Sequence, residues 1–486
     1  MNLQPLLEPG YLSAILPELI LCGGGMLLIL FGAFAPRAKG ALAPLTLILF
    51  IATAWTEILF IRAGSFFGGT YEISPITMIF DVTFLLAGML VVLFAREYLD
   101  REGIESAEFY ALLMWGTVGM MMMAKGLDLL IVVLGLEILS VCIFVLVGFH
   151  RRMPVSNEAS LKYFLMGAFA TGFILYGIAL FYGATRSTNV AQLARWFATN
   201  EVTPLLTVGF VMMMAGFGFK LALAPFHPWA PDVYQGAPTP VAGWLSVAPK
   251  AATLIALVRL FDAMGPVLPK VNWMNMVAAL AILSMIVGNA VAIVQRDLKR
   301  MLAYSGIAHV GYMMIAMLTV RDDSVAAVAV YTITYALMNI GAFGVVSLLI
   351  KNQNDPHTLD DIAGLGFRRK FYGFALAICM FSLSGLPPTA GFISKFYIFK
   401  TAIESGHTTV AIVGILASII SVYYYLRVVY YLYMKEPAEG YVVSAGGGVF
   451  ALGALIIAVV GILAIGVYPT PLFQAAGNAA RVLLQQ

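Results

Sequence analysis

The sequence predicts an all-α membrane protein of about fourteen transmembrane helices, and two observations support this fold class. Of the 486 residues, 61% are hydrophobic and only 11% are charged, whereas an average soluble domain contains about 25% charged residues. The apolar residues also form long unbroken runs, and a run of about 20 is enough for a helix to cross the hydrocarbon core. A transmembrane barrel would instead show alternating segments of about ten residues. The composition and the runs therefore exclude both a soluble fold and a barrel.

Fourteen apolar runs are long enough to be spans, and charged or proline-containing segments separate them. The fourth and fifth runs are divided only by the segment from Lys125 to Asp128. No loop is long enough to hold a soluble nucleotide-binding or flavin domain. The predicted spans are 13–34, 41–61, 75–95, 109–124, 128–149, 160–184, 203–227, 238–261, 273–294, 300–319, 324–350, 371–400, 408–434 and 446–468.

Cysteine usage and net charge exclude several other classes of protein. Cys22, Cys142 and Cys379 each lie within an apolar run, and no Cys-x-x-Cys spacing occurs. This pattern predicts small buried side chains, and no metal site, iron–sulfur cluster or disulfide framework. The net charge of +3 argues against a polybasic nucleic-acid binder. Because no strongly basic segment precedes the first apolar run, we expect no cleavable signal peptide.

Lysine and arginine are distributed unevenly between alternate loops, which predicts the orientation of the chain. The loops that begin after the first span carry the larger share, including Arg151 and Arg152, and we assign them to the cytoplasmic side. Lys125 and Arg259 are assigned to the opposite set of loops. An even number of spans then places both termini on the outer side of the membrane.

Six lysines and arginines remain inside predicted spans, where ionisable groups are costly. Lys400 and Arg427 lie near span ends and can reach the interface, which leaves four lysines, and Glu137 also lies deep in a span. Each such group costs roughly 2.5–3.5 kcal/mol at the bilayer centre on insertion scales. A structural ion pair explains one lysine at most, because one glutamate cannot neutralise four lysines. Desolvation favours the neutral amine, and a nearby carboxylate favours the ammonium. Several such lysines in series could therefore form a proton path. The five residues are Glu137, Lys162, Lys220, Lys250 and Lys395.

Two spans, one in each half of the chain, contain proline close to a buried lysine. In the seventh span Pro225 follows Lys220, and in the twelfth span Pro387 and Pro388 precede Lys395. Proline removes a helical hydrogen bond, and the freed carbonyl groups must face protein or a water-filled cavity at membrane depth. A packing kink would explain either span alone. Interrupted helices in corresponding positions of both halves instead predict inverted repeats around a midplane ion site.

The predicted repeats divide the chain into four parts. Residues 1–108 form three N-terminal helices, and residues 109–261 form the first repeat, with helices four to eight. Residues 273–434 form the second, inverted repeat, with helices nine to thirteen. Residues 446–486 form the last helix and the tail.

Two histidines are candidate members of a supporting relay. His227 lies two turns after Lys220, and His309 lies near the start of the tenth span. A buried histidine is often only a hydrogen-bonded core residue, but an imidazole can both accept and donate a proton. Lys250 directly follows Pro249, so the helix that carries it is expected to be weakened there.

Five stretches between about residue 128 and residue 400 carry a family resemblance. They resemble the antiporter-like membrane subunits of respiratory complex I (NADH:quinone oxidoreductase) and of multisubunit cation/proton antiporters, most closely the N-type subunits. The segment PDVYQGAPTPV is the most specific part. The stretches are LGLEILSVCIFVLVG, ASLKYFLMGA, GFGFKLALAPFHPWAPDVYQGAPTPVAGWLSVAPKAA, QRDLKRMLAYSGIAHVGY and MFSLSGLPPTAGFISKFYIF.

The resemblance implies a proton channel that has no cofactor of its own. Glu137 of span five would pair with Lys220 of span seven, and Lys162 would tune that pair. Lys250 would join the two half-channels, and Lys395 would exchange protons with the far side of the membrane.

The resemblance also implies a place in a larger complex of the bacterial inner membrane. Its neighbours would be M-type and K-type subunits and lipids, with no nucleic acid. NADH, FMN, iron–sulfur clusters and quinone would be bound by partner subunits. Three alternatives stay open: a subunit of a cation/proton antiporter or membrane-bound hydrogenase, a stand-alone solute transporter, and a structural anchor. The VYQGAP stretch argues against the first, and the cost of buried lysines argues against the last.

Overall fold

The computed structural model describes residues 9–59, 61–265, 267–268, 271–319, 321–350, 357–437 and 444–484. Helices form nearly all of its regular structure, as the composition predicts. The first ten helices are α1 (Pro9–Ala14), α2 (Leu16–Phe34), α3 (Leu42–Leu59), α4 (Pro75–Arg101), α5 (Ala107–Lys125), α6 (Leu129–Val147), α7 (Pro154–Thr185), α8 (Val190–Thr199), α9 (Pro204–Leu221) and α10 (Trp229–Gly236). The others are α11 (Thr239–Ala263), α12 (Trp273–Val294), α13 (Leu298–Ala316), α14 (Asp322–Ser347), α15 (Leu365–Arg368), α16 (Lys370–Ser384), α17 (Ala390–Glu404), α18 (Thr408–Tyr433), α19 (Val449–Val467) and α20 (Thr470–Leu484).

Each predicted span falls on a helix or on a pair of helices. Within the described ranges, twelve helical segments are long and apolar enough to cross a membrane. Two predicted spans remain. One is α13, and the other is the pair of helices α16 and α17, each of which has 15 residues and is shorter than a usual span. The chain is therefore an all-α membrane protein, and the total of fourteen spans stays a prediction.

Short polar segments end one helix and begin the next. Only three residues separate α5 from α6, because the Asp128 side chain caps α6 by accepting a hydrogen bond from the Leu130 amide at 2.9 Å. Asp297 caps α13 in the same way, accepting from the Arg300 amide at 2.8 Å. Such caps satisfy amide groups that have no partner within the helix.

Both helix interruptions that the prolines predict are present. The helix α9 ends at Leu221, Ala222 adopts the left-handed conformation, and α10 begins only at Trp229. The helix α16 ends at Ser384, Gly385 has φ of +86°, and α17 begins at Ala390. Each helix therefore stops before its proline, and the intervening chain is non-helical.

The helices α11 and α14 form the centre of the molecule. The most apolar 18-residue window is 100% buried in α11 and 94% buried in α14, compared with 33% in α2, α3 and α7. Small residues allow close approach of helices: a Cβ at Gly288 of α12 would lie 2.6 Å from the amide nitrogen of Ala308 on α13. Because Lys250 lies on α11 and His309 on α13, both are held in the interior.

Two short antiparallel strand pairs occur outside the helices of the described ranges, and the first of them is a hairpin. Strand β1 (Gly64–Phe66) pairs antiparallel with β2 (Tyr71–Ile73), with Gly64 opposite Ile73. Strand β3 (Leu349–Ile350) pairs antiparallel with β4 (Ser444–Ala445). Both pairs lie at the ends of helices and are not part of the helical core.

Candidate functional site

Lys220 lies in the last turn of α9, just before the first helix break. Its Nζ donates a hydrogen bond to Ser140 Oγ of α6 at 2.7 Å and lies 5.6 Å from the centre of the Phe144 ring. Glu137, one turn before Ser140, accepts a hydrogen bond from Thr171 Oγ1 of α7 at 2.6 Å. Both Glu137 and Lys220 are described, and no salt bridge within 4.0 Å joins them. The two members of the predicted pair are therefore near each other but not in contact: Lys220 binds Ser140, which lies one turn after Glu137 on α6.

Lys162 occupies a different place from the predicted one. Its side chain is 44% exposed and forms ion pairs with Glu158 at 2.7 Å and Asp232 at 3.1 Å. Asp232, on the short helix α10, also accepts from Arg300 of α13 at 2.7 Å. Burial opposes ionisation of Asp232, but the hydrogen bonds from Arg300 and Lys162 outweigh it and lower the pKa of this carboxyl. Lys162 thus ties α10 to α7 and makes no ion pair with Glu137 among the described residues.

Lys250 lies in the middle of α11 and is 2% exposed. Its Nζ has no hydrogen-bond partner among the described residues and lies 5.8 Å from the centre of the Tyr234 ring. A Cβ at Gly306 of α13 would lie 2.9 Å from this Nζ and 3.0 Å from the Tyr335 hydroxyl. The ammonium and this hydroxyl therefore converge at Gly306. Pro249 lies inside α11 without ending the helix.

His309 is the centre of a buried group of hydroxyls. Its Nδ1 lies 2.7 Å from the Tyr331 hydroxyl, and its Nε2 lies 3.0 Å from the Tyr425 hydroxyl. The Tyr425 hydroxyl also hydrogen-bonds to Ser305 Oγ. The His309 and Tyr335 rings pack with their centres 4.9 Å apart. An imidazole between two hydroxyls can accept a proton at one nitrogen and release one from the other.

The group around His309 extends toward α11 through Asn339. The Asn339 amide donates to the Tyr335 hydroxyl at 3.1 Å and to Ser246 Oγ at 2.6 Å. Ser246 lies on α11, one turn before Lys250. Polar side chains therefore connect the surroundings of His309 with those of Lys250.

Lys395 lies on α17 and is held by the second helix break. Its Nζ donates to the carbonyl oxygens of Leu383 at 2.9 Å and Ser384 at 3.1 Å, and to Ser418 Oγ at 2.9 Å. Leu383 and Ser384 are the last residues of α16, whose final carbonyls have no partner within the helix. The carbonyl end of a helix also attracts positive charge. The break therefore solvates the ammonium with backbone oxygens.

A second row of polar groups leads from Lys395 toward His309. The Lys395 Nζ lies 5.2 Å from the centre of the Tyr312 ring. The Tyr312 hydroxyl accepts from Asn289 at 3.0 Å, and Asn289 accepts from the Tyr424 hydroxyl at 3.0 Å. The Tyr424 and Tyr425 rings pack with centres 4.4 Å apart. Tyr312 lies in the apolar segment SGIAHVGY, and Tyr424 and Tyr425 lie in SVYYYLR. Hydroxyls inside apolar runs were the sequence signal for these tyrosines, and we did not predict them from it.

Lys395 also borders a cleft between α17 and α18. The cleft has a volume of about 520 Å³. Its polar lining residues are Lys395, Lys400, Glu404 and Ser418, and the others are Gly385 and apolar side chains. Glu404 also lines a polar pocket of about 190 Å³ beside Arg321 and Asp323. Lys395 is therefore close to the surface of the chain, whereas Lys250 is enclosed.

His227 lies in the non-helical segment after α9 and is half-buried. Its ring centre is 6.4 Å from that of Tyr304, and its Nδ1 has no partner in the described part of the chain. Pro225, Pro387 and Pro388 are all exposed. His227 does not hydrogen-bond to the group around His309, and it stays a candidate only by its position at the break.

Two cations that the sequence analysis assigned to loops are buried, so that assignment is wrong. Lys125 is the last residue of α5 and is 0% exposed, and Arg259 on α11 is 3% exposed. Lys125 contacts carboxylates from three other helices, which a positional count of loop charges cannot detect. Within the described ranges, these three carboxylates included, no group of three or more His, Cys, Asp or Glu side chains is arranged to hold a metal ion.

Comparisons with known protein sequences give one consistent family. Residues 126–421 match the family described as NADH:quinone oxidoreductase/Mrp antiporter, transmembrane. A protein of Trichlorobacter lovleyi named NADH-quinone oxidoreductase subunit N is 41% identical over 99% of each chain. A protein of the same name from Desulforamulus reducens is 38% identical over 97% of this chain and 98% of its own.

Comparisons with solved structures agree with the sequence matches. A chain of respiratory complex I from Thermus thermophilus is 33% identical, with a TM-score of 0.81 over 96% of this chain and 99% of that one. A chain of an archaeal membrane-bound sulfane sulfur reductase has a TM-score of 0.84 over 96% of this chain and 97% of that one, at 23% identity. A chain of the Mrp complex from Dietzia sp. has 0.81 over 97% and 98%, at 17% identity. The last two likenesses show the fold alone.

Proposed function

The chain belongs to the NADH:quinone oxidoreductase/Mrp antiporter transmembrane family, and we propose that it is a proton-translocating membrane subunit of an NADH:quinone oxidoreductase. Family membership confirms the resemblance noted in the sequence. The relatives that match over nearly the full length are named as subunit N of that enzyme, which favours it over a cation/proton antiporter. Under this proposal the chain contributes proton transfer, and partner subunits carry out the hydride and quinone chemistry.

The observation that carries the proposal is the set of polar side chains that approaches both Lys250 and Lys395 inside an apolar protein. Ser246, Asn339 and Tyr335 lie on the Lys250 side. Tyr312, Asn289 and Tyr424 lie on the Lys395 side, and His309 and Tyr425 join the two groups. Hydroxyl and imidazole groups can each donate and accept a proton. A purely structural role does not require two buried lysines at the ends of such a set.

In the first repeat, Lys220 would receive and pass on the proton under the influence of Glu137. Positions 137 and 140 lie on one face of α6 because residues three apart are neighbours on a helix. The Lys220 ammonium now contacts Ser140, and a small side-chain rotation toward Glu137 would bring the opposite charges together. Contact with the carboxylate favours the charged lysine, and separation favours proton release. Movement between these positions would therefore drive transfer toward Lys250.

In the second repeat, Lys395 would deliver the proton to the membrane surface. The carbonyl groups of Leu383 and Ser384 stabilise its ammonium. The cleft beside it reaches Glu404 and the polar pocket near Arg321. We place the exit of the second half-channel along this cleft. The assignment of residues 109–261 and 273–434 to inverted repeats is part of the proposal.

The proposal includes the surroundings of the chain. Its relatives include a chain of respiratory complex I, and the described surface carries many exposed apolar side chains, such as Phe169 and Ile419. We place the chain in a bacterial inner membrane, with both termini on the outer side, beside M-type and K-type subunits. NADH, FMN, iron–sulfur clusters and quinone would then bind to the partner subunits.

The test is proton pumping by the assembled complex in proteoliposomes. In Lys250→Met we expect NADH-driven pumping to fall by about tenfold or more, with normal amounts of assembled complex. The matched control is Lys435→Met, because Lys435 is half-exposed and pairs with Asp360 at the surface. Unchanged pumping in the Lys250 variant would contradict the relay. A purified complex without NADH:quinone activity would contradict the assignment to that enzyme.

A further inference from the structure

A second group of buried charges lies away from these lysines, where α2, α3, α4 and α5 meet. The Lys125 Nζ, at the end of α5, lies 3.0 Å from Glu18 Oε1, 3.2 Å from Glu57 Oε2 and 2.7 Å from Asp81 Oδ2. The three carboxyl groups come from α2, α3 and α4 respectively. We call these four residues the Lys125 cluster.

The Lys125 cluster contains more acids than bases. The side chains of Lys125, Glu57 and Asp81 are 0% exposed, and that of Glu18 is 8% exposed. If all four groups were ionised, the cluster would carry two unbalanced negative charges in an almost fully enclosed site. Buried charges are tolerated where they are paired, and an unpaired buried carboxylate is strongly unfavourable. One bound proton would halve the imbalance.

Contact between two of the carboxyl groups indicates where this proton lies. Glu57 Oε2 and Asp81 Oδ2 lie 3.2 Å and 2.7 Å from the same Lys125 Nζ, which brings the two carboxyl groups close enough for a hydrogen bond between them. Ionised carboxylates have only acceptor oxygens, so a hydrogen bond between two of them requires a proton on one. Glu57 Oε1 and Asp81 Oδ1 are also buried and have no donor among the described residues. The same holds for Glu18 Oε2, but the other oxygen of that carboxyl accepts from both Tyr71 and Lys125. A shared proton supplies the missing donor.

The neighbouring groups do not balance the charge. Tyr71 of β2 donates its hydroxyl to Glu18 Oε1 at 2.6 Å, which adds a hydrogen bond and no charge. The nearby cation Arg259 of α11 lies 3.6 Å from Glu72, and Asp262 is a second carboxylate in its surroundings. Asp81 also acts on Arg259, but more weakly than Glu72 and Asp262 do, so Arg259 is matched mainly by its own acids and the Lys125 cluster keeps most of its surplus.

We propose that the Lys125 cluster is a proton-binding site in which Glu57 and Asp81 share one exchangeable proton. Glu18, the one member of the Lys125 cluster whose side chain is not fully enclosed, at 8% exposure, is the route by which this proton exchanges with solvent. The site is separate from Lys220, Lys250 and Lys395, and its existence does not depend on the function proposed above.

Infrared spectroscopy of the assembled complex at neutral pH tests this site. A protonated carboxyl group has its own carbonyl stretching band, which shifts when the proton is replaced by deuterium. Glu57→Gln and Asp81→Asn each leave two carboxylates around Lys125, so the shared proton is no longer needed. We expect the wild-type-minus-variant spectrum of each to contain one protonated-carboxyl band that shifts in D₂O.

The matched control is Glu105→Gln, because Glu105 is a buried carboxylate that contacts Arg96 at 3.2 Å and accepts a hydrogen bond from Tyr110 at 3.2 Å, so both of its oxygens have partners. Its difference spectrum should contain no such band. Absence of the band from both the Glu57 and Asp81 spectra would overturn the proposal, and a band that does not shift in D₂O would overturn the exchange. If the variants fail to assemble, a high-resolution structure of the wild-type complex tests the shared proton instead, through the contact between the Glu57 and Asp81 carboxyl groups. Separate donors on Glu57 and Asp81, with no contact between the two carboxyls, would refute the shared proton.

Discussion

Lys395 donates a hydrogen bond to the carbonyl oxygen of Leu383, twelve positions earlier in the chain, at 2.9 Å. This contact exists because α16 stops at Ser384 and leaves its last carbonyls without helical partners. Lys220 has a different relation to the first break, since it lies before the break and contacts a hydroxyl on α6. The two interruptions therefore have different relations to their lysines. The second break provides carbonyl oxygens that bind the Lys395 ammonium, whereas the first break only ends the helix on which Lys220 lies.

The role of Glu137 can be tested by Glu137→Gln, which removes the charge and preserves the shape. We expect pumping to fall by about tenfold or more, because Lys220 loses the carboxylate that favours its charged form. Pumping and coupled quinone reduction would be measured in assembled complex. Glu158→Gln is the control, since Glu158 is an exposed carboxylate paired with Lys162. Wild-type rates in the Glu137 variant would make this residue structural only.

Replacement of Lys220 and Lys395 by arginine separates proton transfer from a requirement for positive charge. Arginine keeps its proton at all accessible pH values. If the lysines must release protons, each arginine variant should lose nearly as much pumping as the matching methionine variant. Full pumping by both arginine variants would show that only charge is needed, and the assignment as proton carriers would then be wrong.

The backbone at Gly385 is expected to control the position of Lys395. In Gly385→Ala, a Cβ would lie 3.0 Å from Lys395 Cδ, at a residue with φ of +86°. Gly406 also has φ of +86°, but no atom lies within 4 Å of its Cβ position. Both alanine variants should lose about 1 kcal/mol of stability from backbone strain, and we expect only Gly385→Ala to reduce pumping severalfold. Thermal unfolding and pumping assays measure the two effects, and equal pumping in the two variants would refute the prediction.

His309 is expected to transfer protons as well as to hold the tyrosines in place. His309→Gln keeps a side chain that can hydrogen-bond to Tyr331 and Tyr425 but removes the titratable ring. We predict a loss of pumping of about tenfold or more, with normal assembly. Tyr304→Phe is the control, because Tyr304 lies beside His227 and makes no hydrogen bond to His309. Near-normal pumping in the His309 variant would limit this residue to packing.

Local patterns in the sequence were sufficient for the positions of the long apolar helices, the helix interruptions and the family. A run of apolar residues determines whether a helix can cross a bilayer, and proline acts on its own helix. For the same reason Lys220, Lys250 and Lys395 could be predicted as buried: each lies within such a run, and each is at most 6% exposed. Lys162 shows the limit of this reasoning, because its apolar surroundings hid the fact that it lies on an exposed face of α7.

The partners of these charged groups depended on tertiary structure alone. Ser140 and Lys220 are 80 positions apart, and His309 and Tyr425 are 116 apart. No local pattern specifies such contacts, because they depend on how separate helices cross and rotate against one another. Lys125 is the clearest case. Its position between two apolar runs predicts a loop residue, but three carboxylates from other helices contact it. The apolar runs alone determined that this chain crosses a membrane with lysines inside, and helix packing decided which groups those lysines contact.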